Sequence, residues 1–162
     1  GNWQVIFHGS SYMSFDPVGT NYVNGSFIVW HLVDIVAKGG MMQIGYGPDA
    51  NGKFHPKAIE ALEYAGRWLS TNGEAIYSTR PMRSAWNDTA SAMVRYTQSK
   101  DGSAIYATVL SGFGSPRLNP SGELTLACVT LSQSSSVTIL GYVNEATRLP
   151  IPVGWRMNNI GR

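Results

Sequence analysis

The sequence predicts an α/β region followed by an all-β region. Residues 1–73 run strand, loop, helix, strand, loop, helix, the order of parallel βα units. From residue 91 the hydrophobic period drops to two, and Lys100-Asp101-Gly102 supplies the Asp-Gly signal of a hairpin. The change is expected near Tyr77 to Pro81, dividing 1–78 from 79–162. Two βα units can neither close a sheet nor cover both its faces. The α/β region is therefore expected to be completed by a larger whole or by a partner.

Trp3-Gln4-Val5-Ile6-Phe7 reads as a buried strand, stopped by the loop signal His8-Gly9-Ser10-Ser11. Residues 12–22 read as a long loop carrying exposed-type aromatics. Residues 24–37 read as a helix, with Ile28, Leu32, Ile35 and Val36 recurring at helical spacing. Lys38-Gly39-Gly40 closes it, a cation followed by glycine. Met41 to Ile44 is a short buried strand, and Gly45 to Gly52 a loop. Pro56 to Thr71 is the clearest helix. Pro56 suits the first helical position, where no N–H is needed. Ile59, Leu62, Gly66 and Leu69 define one face, and Asn72-Gly73 ends the helix. Beyond it, residues 91–98 and 103–110 pair as a hairpin. Leu124 to Leu131 and Val137 to Tyr142 read as two further strands of an antiparallel sandwich.

Composition narrows the function. The 162 residues amount to one ordinary domain, roughly 100–200 residues, and 43% are hydrophobic, enough for a packed core. Twelve basic and ten acidic residues leave a net charge of +2, with a charged share of only 14%. A nucleic-acid binder would show a dense basic face, so nucleic acid is not an expected partner. The longest apolar region, Ser26 to Val36, is interrupted by His31 and Asp34 and falls short of the roughly 18 residues of a membrane span, so no membrane partner is expected. Cys128 is the sole cysteine, which rules out an internal disulfide. The three histidines and Cys128 show no metal-ligand spacing. Gly47 to Gly52 does not match a phosphate-binding loop, so no metal or cofactor is expected. Asn24-Gly25-Ser26 and Asn87-Asp88-Thr89 are glycosylation triplets that favour secretion weakly.

Between Leu32 and Arg80 the motifs fall in a distinctive order: LVDIVAKGG at 32–40, GPDANG at 47–52, Glu63 to Leu69 ending in Trp-Leu, and NGEAIYSTR at 72–80. This run resembles the α-L-fucosidases of glycoside hydrolase family 29. Residues 94–110, VRYTQSKDGSAIYATVL, resemble the opening hairpin of that family's C-terminal sandwich, and VTILGY at 137–142 a later strand. The resemblance implies the C-terminal portion of a (β/α)8-like barrel followed by an antiparallel β-sandwich. It implies a fucosylated glycan as substrate, the remainder of the barrel as a required partner, no cofactor, and a secreted or lysosomal setting.

Retaining glycosidases need two carboxyl groups about 5–5.5 Å apart. The resemblance places the nucleophile on an earlier strand, outside this sequence, so the chain alone is expected to be inactive. The family's acid/base is a Glu that in several members follows a Trp, with an SWGY-like loop after it. The matching stretch here is Trp3-Gln4, then Ser14-Phe15-Asp16-Pro17. Gln4 thus stands at the position resembling the acid/base, and an amide cannot deliver that proton. An engineered change, a natural loss and an acid placed elsewhere remain open. Trp3, Phe15 and His8 are the candidate substrate contacts. Family members set an aromatic of this loop against the fucose methyl group, and sugar CH faces pack well on rings. Trp3 and Phe15 read equally as core residues, and His8 as a loop histidine. Asp16 is a turn residue or a spare carboxyl, His31 and Asp34 are structural, and His55 is a candidate helix cap. Beside a fucosidase segment stand two other readings, a non-catalytic carbohydrate-binding or structural homologue and an unrelated α+β interaction domain.

Overall fold

A computed structural model describes residues 3–11, 14–82, 87–88, 93–110, 125–143, 150–152 and 154. Strand β1 (Gln4–His8) is followed by helix α1 (Gly25–Ala37), strand β2 (Met41–Gly45) and helix α2 (Pro56–Asn72). β1 and β2 pair in parallel, from Gln4 opposite Met41 to His8 opposite Gly45. A parallel pair needs a crossover, and α1 supplies it. This is the βα order read from the sequence.

The helix ends follow their local chemistry. Asn24 caps α1, its side chain accepting the Phe27 N–H at 2.9 Å. At the other end the Gly39 and Gly40 amides donate to Val36 and Ile35, each at 2.9 Å. Gly39 takes φ +79°, open to glycine at little cost. His55 caps α2, its Nδ1 accepting the Lys57 N–H at 3.2 Å, and Pro56 opens the helix.

Packing departs from the periodicity. The expected face of α2 is not the buried one. Ala58, Ala61 and Ala65 are buried, while Ile59 and Leu62 remain 44% and 41% exposed. The alanines let α2 approach α1 closely, and the Tyr64 side chain lies over Gly25. α1 is buried on more than one side, through Ile28, Val29, Val33, Ile35 and Ala37, because it packs against β2, α2, β3 and β5 at once. Burying one such side chain contributes about 1.5–3 kcal/mol.

A short 3₁₀ turn (Gly73–Ala75) leads to antiparallel structure. β5 (Val94–Ser99) pairs with β3 (Thr79–Pro81), β4 (Asn87–Asp88) and β6 (Ile105–Val109). The β5–β6 hairpin turns at Asp101-Gly102, with Gly102 at φ +81°. β7 (Thr138–Val143) pairs with β8 (Pro150–Pro152). Thr125 to Leu131 is turn and loop rather than the expected strand, and Leu124 lies outside the described residues, as do 91 and 92. Leu126, Cys128 and Val129 still pack on Val94 and Tyr96. The apolar alternation there marks burial, which a loop satisfies as well as a strand. Among the described residues the antiparallel strands form two separate sheets.

Beneath α1 a charged joint ties the helix to β5. Arg95 Nε donates to Asp34 Oδ1 and Lys38 Nζ to Asp34 Oδ2, both at 2.6 Å. Arg95 and Asp34 are 6% and 8% exposed. Burial pushes the Asp34 carboxyl up, but the bonds from Lys38 and Arg95 outweigh it and hold it below the ordinary range.

Candidate functional site

Because β1 and β2 are parallel, both strands finish on the same side of the sheet. Ligands of parallel α/β folds bind at that carboxyl end. β1 ends at His8, and the Gly9 amide extends the ladder by donating to Gly45 O at 2.7 Å. The Tyr46 ring lies against Gly9, where a Cβ would overlap it. Val23 donates back to Gly9 O at 3.0 Å, so the β1–α1 loop returns over its own start.

Four rings from two loops, the one after β1 and the one after β2, meet at this rim. Tyr22 stacks on Tyr46 with centroids 6.3 Å apart and on His55 at 4.7 Å, the planes within 11° and 14°. Phe15 is tilted against His55 at 6.0 Å. The loop bearing Phe15 and Tyr22 is shaped by Asp16, which accepts the N–H groups of Val18, Thr20 and Asn21 at 3.0, 3.1 and 3.2 Å. Desolvation raises the Asp16 carboxyl, but backbone donors, led by Asn21, carry it below the ordinary range. Lys57 Nζ donates to Gly19 O at 2.6 Å, pinning this loop to the start of α2.

Asp49, in the next loop, accepts the N–H groups of Asn51 and Lys53 at 2.8 Å each. Both loop carboxylates are thus engaged in their own turns. The Tyr46 hydroxyl is buried with no hydrogen-bond partner among the described residues. Burial, then the neighbouring Tyr22, raises its pKa. Among the described residues no cluster of three His, Cys, Asp or Glu could hold a metal ion.

The sequence candidates separate onto two ends. His8 is the last residue of β1, exposed on the face away from α1, and Phe15 is half-buried in the rim. Trp3 and Gln4 lie at the amino end. Gln4 opens β1 and donates its amide to Gln43 Oε1 at 2.7 Å, and the Trp3 ring crosses Gly40. Four residues at about 3.3 Å each set Gln4 roughly 13 Å along the strand from His8. The structure therefore does not bring Gln4 to the rim with His8 and Phe15. His31 packs structurally, between Phe7 at 4.7 Å and Phe27 at 3.9 Å. Tyr22, Tyr46 and the stacking face of His55 were not legible as site residues. Their only sequence signal is an aromatic side chain set among turn residues, as in Gly45-Tyr46-Gly47.

Known proteins are similar over this same region. Residues 2–74 match the family model described as alpha-L-fucosidase. An alpha-L-fucosidase of Branchiostoma floridae is 37% identical over 122 residues, covering 75% of this chain and 25% of that protein. Alpha-L-fucosidase isoenzyme 1 from Paenibacillus thiaminolyticus aligns with a TM-score of 0.59 and 26% identity, covering 70% of this chain and 26% of its own. The Thermotoga maritima alpha-fucosidase in complex with fucose aligns at 0.56 and 25%, covering 60% and 24%. The chain spans about a quarter of the length of these relatives. The motifs of residues 32–80, the family match across both βα units and the shared fold lead to one conclusion: the chain belongs to the α-L-fucosidase family and corresponds to a segment of such a protein.

Proposed function

We propose that this chain contributes a sugar-binding rim to a retaining α-L-fucosidase that removes terminal fucose from glycans, in a secreted or lysosomal setting. The observation that carries the proposal is that the family match covers the two βα units whose carboxyl ends assemble Phe15, Tyr22, Tyr46 and His55. Phe15 offers a ring to the apolar side of the sugar, and His8 sets a polar side chain beside it. Trp3 and Gln4 hold the opposite end of the sheet.

Hydrolysis needs a nucleophilic carboxylate and an acid. Asp16 and Asp49 are committed to their loops, so this rim supplies contacts and the carboxyl pair comes from other strands of a barrel. That architecture is supported by the sheet itself. Among the described residues helices cover one face only, and Ile6 and Met41 are 51% and 55% exposed on the other, the face a barrel interior would cover. The antiparallel strands after Thr79 belong in this reading to the sandwich that follows the barrel.

The test is a binding titration with methyl α-L-fucoside alongside an aryl fucoside assay. Assembled with the rest of its barrel the chain is expected to bind the fucoside, and alone to release no chromophore above a buffer blank. Turnover by the isolated chain would overturn the division of labour, and absence of binding in the assembled protein would overturn the rim. A non-catalytic carbohydrate-binding homologue is the second reading, favoured by the amide at Gln4. It predicts that no assembled form of the protein turns over the aryl fucoside.

A further inference from the structure

We propose that His55 is a positioning residue whose ring sets the place of Phe15 and, through it, the rim's selectivity for a sugar bearing an apolar methyl substituent. The proposal rests on the reading of Phe15 as sugar-facing. Three contacts fix the His55 ring. One face stacks on Tyr22 at 4.7 Å and 14°. Its Cε1–Nε2 edge rests on Gly19, where an added Cβ would come within 2.7 Å of Cε1. Its Nδ1 accepts the Lys57 N–H at 3.2 Å, so Nδ1 carries no proton and the ring cannot flip without uncapping α2.

Phe15 sits on the 14–22 loop and meets His55 at 6.0 Å and 56°. The same loop is tied to α2 by Lys57 Nζ on Gly19 O. The loop after β1 is thus clasped to the start of α2, and the His55 ring is the wedge between them. Replacing the ring with a small cap leaves Phe15 a gap to relax into. A relaxed ring gives up the close contact through which a single methyl group is felt.

Two variants separate the ring from the cap. His55→Asn keeps an N-cap acceptor and removes the ring. His55→Phe keeps a ring and removes the acceptor. The first readout needs no ligand: 4-fluorophenylalanine at position 15, followed by ¹⁹F NMR in the full chain. The second is the affinity ratio between methyl α-L-fucoside and the glycoside lacking only the sugar methyl group.

The unsubstituted protein is expected to prefer the fucoside about fivefold to tenfold. His55→Asn should shift and broaden the ¹⁹F line and bring the ratio close to one. His55→Phe should restore most of both, although its helix is less well capped. An unchanged ¹⁹F line in His55→Asn, or a ratio that follows the cap rather than the ring, overturns the positioning role. If the unsubstituted protein binds neither glycoside while the ¹⁹F line still follows the ring, the sugar reading of the rim fails and the selectivity claim with it. The wedge contact between His55 and Phe15 then stands alone.

Discussion

The two ends of the parallel β1–β2 pair are built from different chemistry. At the amino end, short direct contacts dominate. Gln4 bonds Gln43, Trp3 covers Gly40, and at the C-terminal end of α1 Asp34 is held between Arg95 and Lys38. At the carboxyl end, rings from separate segments lean on one another, and loop carboxylates shape turns rather than bridge elements. Ion pairs with a buried partner resist rearrangement because an orphaned charge is costly. Stacked rings on loops present area and tolerate exchange. The difference teaches that one end secures the fold, while the other, in the proposed reading, is the end offered to a ligand.

The largest effect should come from breaking the secured end. Arg95→Met leaves buried Asp34 with Lys38 as its remaining ion-pair partner and should cost about 3 kcal/mol, the low end for a broken buried pair, read as a fall in the urea midpoint. The same joint sets a pH dependence. Asp34 has a folded pKa below its ordinary value of 3.8. Its contribution is therefore complete above that value and lost as the pH falls below it. Wild-type stability should decline through that window more steeply than that of Asp34→Asn, measured by denaturant melts at stepped pH. An identical slope in both would remove Asp34 from the joint.

Next comes Gly9, which bridges strand and rim. Gly9→Ala drives a methyl group into the Tyr46 ring and should cost about 1–3 kcal/mol. It should also weaken fucoside binding, since it displaces Tyr46 and the Tyr22 stacked on it. Loss of stability with binding intact would detach the stack from the ligand site. Phe15→Ala should leave the melting curve within about 1 kcal/mol, because the ring is only half-buried. It should weaken fucoside binding about tenfold, measured by titration. The smallest effect is expected at Gln4. Gln4→Glu keeps size and shape and lies roughly 13 Å along the strand from His8, so fucoside affinity and aryl fucoside turnover in the assembled protein should both stay unchanged. Restored turnover would return the acid/base role to this position and erase the distinction between the ends.

Local chemistry made much of the fold legible. Lys38-Gly39, Pro56 and Asp101-Gly102 each mark the helix end, helix start or turn they form. The buried faces were less legible, because burial depends on partners that periodicity does not name. Ile59 and Leu62 outrank Ala58 and Ala61 on any hydrophobicity scale, yet close helix packing selects the small residues. Leu126 and Val129 show that apolar alternation can belong to a buried loop.

The site divides the same way. In the proposed reading His8 and Phe15 are the rim residues that the sequence names, one at a strand end and one on the loop after it. The Trp3-Gln4 dipeptide carries no information about which end of a strand it occupies, and the structure sets Gln4 at the start of β1. Tyr22, Tyr46 and His55 come together only when both loops fold back over Gly9 and Gly19, a tertiary event without a local signature. Asp34 and Arg95 lie 61 positions apart, so their pairing is likewise a product of the fold.

The most direct measurement is a backbone and side-chain NMR titration with methyl α-L-fucoside of the assembled protein, with this chain isotope-labelled. Saturable shifts at His8, Phe15, Tyr22, Tyr46 and His55, with Trp3, Gln4, Gly40 and Gln43 unmoved, are the expected result. Shifts centred on Gln4 and Gln43, or none at the rim at saturating fucoside, would contradict a sugar site at the carboxyl end of the sheet.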